Sequence, residues 1–215
     1  MGRHALRKVD PDLDLSRYFK VLDDLPRPWD RAALFGRHAP LEIEVGSGKG
    51  LFMSSEAEAN PDHDFLGIEV AAKYARFSAG RLAKRKLRNA CMVSGDALWV
   101  FRELLPEASL AAVHVYFPDP WWKKRHHKRR VMNERFLSDV QRVLEPDGVL
   151  HFWTDVAEYF QQSLERIAES TSLEGPFDVA EREAALGLDY RTHFERRMRL
   201  RDEPVYRSEF HKPRS

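Results

Sequence analysis

Between residues 41 and 170, short apolar runs alternate with longer amphipathic stretches, and this rhythm constrains the fold more than any other feature of the chain. The runs at 41–45, 64–70, 90–94, 111–117 and 148–154 read as strands. Those at 51–59, 71–87, 97–105 and 156–170 read as helices, the last with Phe160, Leu164 and Ile167 on one face. Asn133 is placed to cap a further helix whose Phe136, Val140 and Leu144 recur at helical spacing. An uninterrupted strand–helix alternation of this length predicts an α/β fold, a doubly wound and mainly parallel sheet. Residues 1–37 are charged and broken by Pro11, Pro26 and Pro28, so they read as an N-terminal arm carrying a short helix. The single domain is expected over 38–215. Its stretch after residue 171, punctuated by Gly175-Pro176 and Gly187, supplies the remaining strands and a substrate-facing segment.

A chain of 215 residues is long enough for one domain with a substantial core. The formal net charge is only +1, so attraction to a polyanion must come from local asymmetry. Cys91 is the single cysteine, which excludes an intramolecular disulfide and points to a reducing, cytoplasmic setting. Its apolar neighbours suit a buried structural thiol. No window approaches the roughly 20 apolar residues of a membrane span, and the N-terminus lacks a hydrophobic signal core. No membrane contact is expected. The histidines fall in no metal-ligand spacing such as H-E-x-x-H, and no metal is expected either.

The charge asymmetry is concentrated after the fourth strand. Phe117-Pro118-Asp119-Pro120-Trp121-Trp122 is followed by Lys123-Lys124-Arg125-His126-His127-Lys128-Arg129-Arg130. The rings can stack on bases and the cations can meet phosphates. Asp119 sits where the two prolines restrict the backbone around it. Ligands of a doubly wound sheet gather at the carboxyl ends of its strands, so Asp119 should face the same crevice as Glu44 and Glu69.

The first strand ends in Glu44-Val45-Gly46-Ser47-Gly48-Lys49-Gly50. A phosphate-binding P-loop is excluded, because Ile43 stands at its first glycine and Gly50 follows the lysine. The dinucleotide fingerprint fails too, since Leu51 occupies its third glycine. What remains is G-x-G-x-G preceded by an acid, which resembles motif I of class I S-adenosylmethionine-dependent methyltransferases. Glycines let the backbone approach a nucleoside closely. An acid beside them suits a cationic ligand better than a pyrophosphate. Glu69 can accept from ribose hydroxyls, and Asp96 can meet the adenine edge. Glu44 could instead be a strand-edge charge, and Asp96 a helix N-cap.

The loop motif closely resembles the signature of bacterial tRNA (guanine-N7)-methyltransferases. Thr154-Asp155 and Thr192-His193-Phe194-Glu195-Arg196 look like that family's two downstream motifs. The resemblance covers the chain from Leu41 onward and implies a Rossmann-like class I methyltransferase. Its expected reaction is methyl transfer from S-adenosylmethionine to N7 of guanosine 46 in the tRNA variable loop. It carries over Glu44, Gly46, Gly48, Gly50, Glu69, Asp96 and Asp119 as cofactor contacts, with Asp119 also catalytic. Lys123, Asp155, Thr192, His193, Phe194 and Glu195 become substrate contacts, and Arg125, His126, His127, Lys128, Arg129 and Arg130 face the RNA. Monomer and homodimer are both compatible with it. His127 departs from a usual Asn, Trp122 from Pro, Phe or His, and 199–203 lacks a glycine that the family usually has.

Several of these residues have plainer readings. Asp155 and Glu158 form an Asp-x-x-Glu capping pattern, and Trp99 and Trp153 suit the core. A non-catalytic RNA-binding protein would need only the cations, not Glu44, Glu69 and Asp119. An aminopropyltransferase would share the sheet, but the basic tract would repel its polyamine.

Overall fold

The computed structural model describes residues 6, 8–179 and 192–214. The chain opens with β1 (Phe19–Val21) and α1 (Arg31–Phe35), followed by β2 (Leu41–Val45), α2 (Leu51–Ala59), β3 (Asp64–Glu69) and α3 (Ala72–Arg85). It continues with β4 (Ala90–Ser94), α4 (Ala97–Glu103), β5 (Leu110–Tyr116), α5 (Glu134–Val143) and β6 (Leu144–Thr154). Last come α6 (Ala157–Ser170), β7 (Glu174–Phe177), α7 (His193–Arg199) and β8 (Tyr206–His211). The sheet order is β1-β4-β3-β2-β5-β6-β8-β7. Strands β1 to β6 pair in parallel, while β8 runs antiparallel to β6 and β7 antiparallel to β8. The expected doubly wound, mainly parallel sheet is therefore present. Strand order reverses between β2 and β5, which opens a crevice at their carboxyl ends.

The pleat of β2 sorts its side chains to opposite faces. Leu41, Ile43 and Val45 join a core with Val100, Phe101, Phe136, Val140, Tyr159 and Ile167 from α4, α5 and α6. On the other face, Phe52 and Met53 of α2 and Ala79 and Leu82 of α3 pack with Phe65, Met92, Tyr116 and Trp153. Each fully buried large apolar side chain contributes about 1.5–3 kcal/mol, so packing on both faces holds the sheet against its helices.

Two segments differ from their sequence reading. The stretch expected as an arm supplies β1, with Phe19 in register with Met92, and places Leu25 and Phe35 in the core. Asp30 caps α1 by accepting from Ala32 N at 2.8 Å. Leu144, expected on the face of α5, ends that helix and begins β6 instead. Asn133 does cap α5, accepting from Phe136 N at 3.1 Å.

Candidate active site

The turn after β2 is built by backbone geometry. Gly46, Gly48 and Gly50 have φ of 78°, 51° and 63°. A side chain on Gly50 would bring its Cβ within 2.7 Å of Ser78, so α2 and α3 could not pack as they do. Around Gly46 no atom lies within 4 Å of such a Cβ, leaving open space for a ligand to approach. Glu69, at the end of β3, accepts from Gly48 N at 3.0 Å and Ala71 N at 2.9 Å. It thus organises the turn, and its carboxylate keeps further lone pairs. Asp96 accepts from Leu98 N at 2.9 Å and is the N-cap of α4. That plainer reading is realised, and the exposed carboxylate can still accept further bonds.

Glu44 lies beneath the turn with 3% of its surface exposed. Its Oε2 is buried without a hydrogen-bond partner. Burial pushes the carboxyl up to about 8, against a lowering hydrogen bond from Ser47 and with added repulsion from Glu69 and Glu56. It borders a cleft of about 800 Å³ bounded by the glycine turn, Tyr116, Phe117, Phe194, Arg196 and Arg197. That volume suits a cofactor-sized ligand.

The loop after β5 is strained. Phe117 and Trp121 have φ of 49° and 45°, left-handed values that cost a residue with a side chain. They bracket Asp119, which is exposed and accepts from Trp121 N at 2.9 Å. The Phe117 ring packs 4.7 Å from that of Phe194 on α7, and Arg197 covers Phe194 at 4.6 Å. Beyond Trp122, which is 70% exposed, residues Lys124–Arg129 form a 3-10 helix. Arg129 lies over the Trp121 ring at 5.0 Å, and His126 meets that ring edge-on at 5.7 Å. Lys123, Arg125, Lys128 and Arg129 are exposed and His126 is half-buried. Arg130 is not on this surface: only 5% of it is accessible, so its expected place facing the RNA is not what the fold gives it. His127 turns partly inward and lies 3.1 Å from Arg130 Nη2.

The two later motifs divide in the same way. Thr192 caps α7 by accepting from Glu195 N at 3.0 Å, and Phe194 faces the cleft. His193 starts α7. Glu195 is buried, 3.2 Å from Arg207 and 3.9 Å from Arg199, so it locks α7 onto β8 and does not stand open as a substrate contact. Asp155 escapes the capping role its spacing suggests, because the N-cap of α6 is Val156 and makes no side-chain bond. Burial raises the Asp155 carboxyl above its ordinary range. In the turn after α7, within the glycine-free stretch 199–203, Asp202 adopts φ of 54°, a region that Asp tolerates better than most residues. Arg196, the last residue of the Thr192–Arg196 motif, lies on the cleft with Arg197 and Arg201, which belong to no sequence motif and were signalled only by the density of arginines after Glu195. Trp153 is buried, and Trp99 is half-buried against the core.

This sheet, with its glycine turn and acids at successive strand ends, defines a Rossmann-like class I methyltransferase. Solved structures agree on the fold. KamB, a 16S rRNA methyltransferase, superposes with a TM-score of 0.62 at 19% identity, covering 86% of this chain and 93% of its own. A family model described as "Putative methyltransferase" matches residues 38–208. A tRNA (guanine-N(7)-)-methyltransferase of Rhodopirellula baltica is 50% identical over 213 residues, spanning 96% of this chain and 79% of the relative. Another so named, from Aromatoleum aromaticum, is 44% identical over 151 residues, spanning 70% of this chain and 58% of the relative. The chain belongs to the tRNA (guanine-N7)-methyltransferase family. Among the described residues no helix is long and apolar enough to cross a membrane.

Proposed function

We propose that this protein methylates N7 of guanosine 46 in the variable loop of tRNA, with S-adenosylmethionine as donor. It acts in the cytoplasm, as a monomer or homodimer. The observation that carries this reading is the crevice between β2 and β5. The cleft holds the buried, unpartnered oxygen of Glu44 beneath the glycine turn and runs to Phe117 at the end of β5. Two residues beyond Phe117 the loop carries exposed Asp119, followed by exposed Trp122 and cations.

The residues fit the donor. A ligand ammonium would supply the partner that Glu44 Oε2 lacks, and its charge would restore the carboxylate. The open space at Gly46 admits the nucleoside, with Glu69 at the ribose and Asp96 at the adenine edge. S-adenosylmethionine supplies a methyl group on sulfonium sulfur, and the N7 lone pair forms the new bond as the sulfur–carbon bond breaks. N7 carries no proton, so no general base is required. Asp119 accepts from the amide-edge donors of guanine and stabilises the positive charge growing on the ring. Trp121 or Trp122 stacks the extruded base. Lys123, Asp155, Thr192 and Phe194 frame the nucleotide, while Arg125, Lys128 and Arg129 hold phosphates. A tRNA carrying 7-deazaguanosine at position 46 tests the assignment. It should accept no methyl group, and acceptance equal to that of unmodified tRNA would refute the target atom.

A further inference from the structure

Arg130 ends the basic tract in sequence but points into the protein, where 5% of its surface remains exposed. Its Nε donates to the Pro120 carbonyl at 2.7 Å, and its Nη1 to Gln162 Oε1 at 2.6 Å. Nη2 lies 3.1 Å from His127 Nε2, and the guanidinium sits 4.7 Å over the Tyr159 ring. Tyr159 and Gln162 both belong to α6. A single side chain therefore reaches from α6 to the carbonyl of the residue that follows Asp119. Burying a cation is costly unless its donors are satisfied, and here the partners divide between the loop itself, with Pro120 and His127, and α6, with Tyr159 and Gln162. That loop needs an external hold, because Phe117 and Trp121 keep left-handed conformations that persist only where the surroundings enforce them.

We infer that Arg130 is a positioning residue for Asp119 and not a phosphate contact. It clamps the Pro120 carbonyl to α6, and this fixes the carboxylate of Asp119 in the loop that follows β5. The planar fork matters, since three directed bonds leave from one guanidinium. The inference rests on the proposed methyl transfer, in which Asp119 meets the reacting base.

The test uses the full chain with Arg130→Ala, Arg130→Lys, Gln162→Leu and, for contrast, Arg129→Ala. Three quantities are read: the single-turnover methylation rate at saturating tRNA and S-adenosylmethionine, the salt dependence of tRNA binding, and hydrogen exchange at the Trp121 amide. Arg130→Ala should slow methylation by about 100-fold, the loss an ångström of misplacement can cause. Its salt slope should match wild type, and the Trp121 amide should exchange faster as its bond to Asp119 loosens. Arg130→Lys should recover part of the rate, and Gln162→Leu should lose part of it with the same unchanged slope. These two carry the test if Arg130→Ala fails to fold. Arg129→Ala should instead flatten the salt slope, as loss of a phosphate contact does. Arg130 variants with a flattened slope, a wild-type rate and unchanged Trp121 exchange would overturn the inference. A wild-type enzyme that methylates no tRNA would defeat the proposed function instead, and Trp121 exchange would still decide whether the clamp exists.

Discussion

Replacing Glu44 with Gln keeps the side chain's shape and removes its charge, which separates two consequences of its burial. The carboxyl titrates at about 8, against 4.5 for the ordinary group, because burial disfavours the anion. At 1.36 kcal/mol per unit the difference corresponds to roughly 5 kcal/mol at most. Between pH 4.5 and 8 the folded protein holds a proton that the unfolded chain has released. Wild-type stability therefore falls as pH rises through that window and levels off above it. Glu44→Gln carries no such penalty, so its advantage over wild type should grow with pH and reach roughly 3 kcal/mol near pH 7. Urea unfolding without ligand, at a series of pH values, reads this directly. Ligand binding reverses the order. An ammonium beside Glu44 draws the proton off, so calorimetric S-adenosylmethionine affinity of wild type should rise about tenfold from pH 6 to 7. The variant should bind weakly with no such rise. A stability difference that does not change with pH, together with a flat affinity, would show that Glu44 is ionised before any ligand arrives.

The other sites give shorter tests. Glu69→Ala should weaken S-adenosylmethionine binding by about 1.5–3 kcal/mol per charged hydrogen bond lost, with little change in tRNA affinity; unchanged calorimetric affinity would remove Glu69 from the cofactor site. Asp119→Asn should lower the single-turnover rate far more than it raises either dissociation constant, and a near-wild-type rate would show that the charge is not needed. Replacing Arg125, Lys128 and Arg129 together with Ala should flatten the slope of log affinity against log salt by up to about two units, at roughly 0.7 per phosphate. Choice of guanosine should survive, because phosphate contacts position the RNA without reading its bases. A wild-type slope would place the RNA elsewhere.

The sheet was legible because each parallel strand, buried on both faces, leaves a compact apolar run between helical spacings. β1 was not: it has three residues, lies among charged and proline-rich neighbours, and earns its place only through pairing with β4. Glu44 and Asp119 could be placed from motif and strand-end position alone. Arg130 and Glu195 could not, since a charged residue in a charged run looks the same whether it faces solvent or is buried against partners far away in sequence. Gln162 is 32 residues from Arg130, and Arg207 is 12 from Glu195. Likewise, nothing in the sequence joins Glu42 to His63 and His114, although both imidazoles lie 2.7 Å from its carboxylate. The Asp-x-x-Glu pattern at Asp155 misleads for a related reason. Local spacing announces a cap, but Thr154 closes the turn into α6 by accepting from Val156 N at 3.3 Å.

Methyl transfer itself is the most direct measurement. Purified protein, labelled S-adenosylmethionine and tRNA lacking the modification are incubated together, and the tRNA is then digested to nucleosides. The label should appear as 7-methylguanosine and should be lost with Asp119→Asn. Label in a different nucleoside, or none in tRNA while the protein still binds both ligands, would contradict the assignment of this crevice to guanosine N7 methylation.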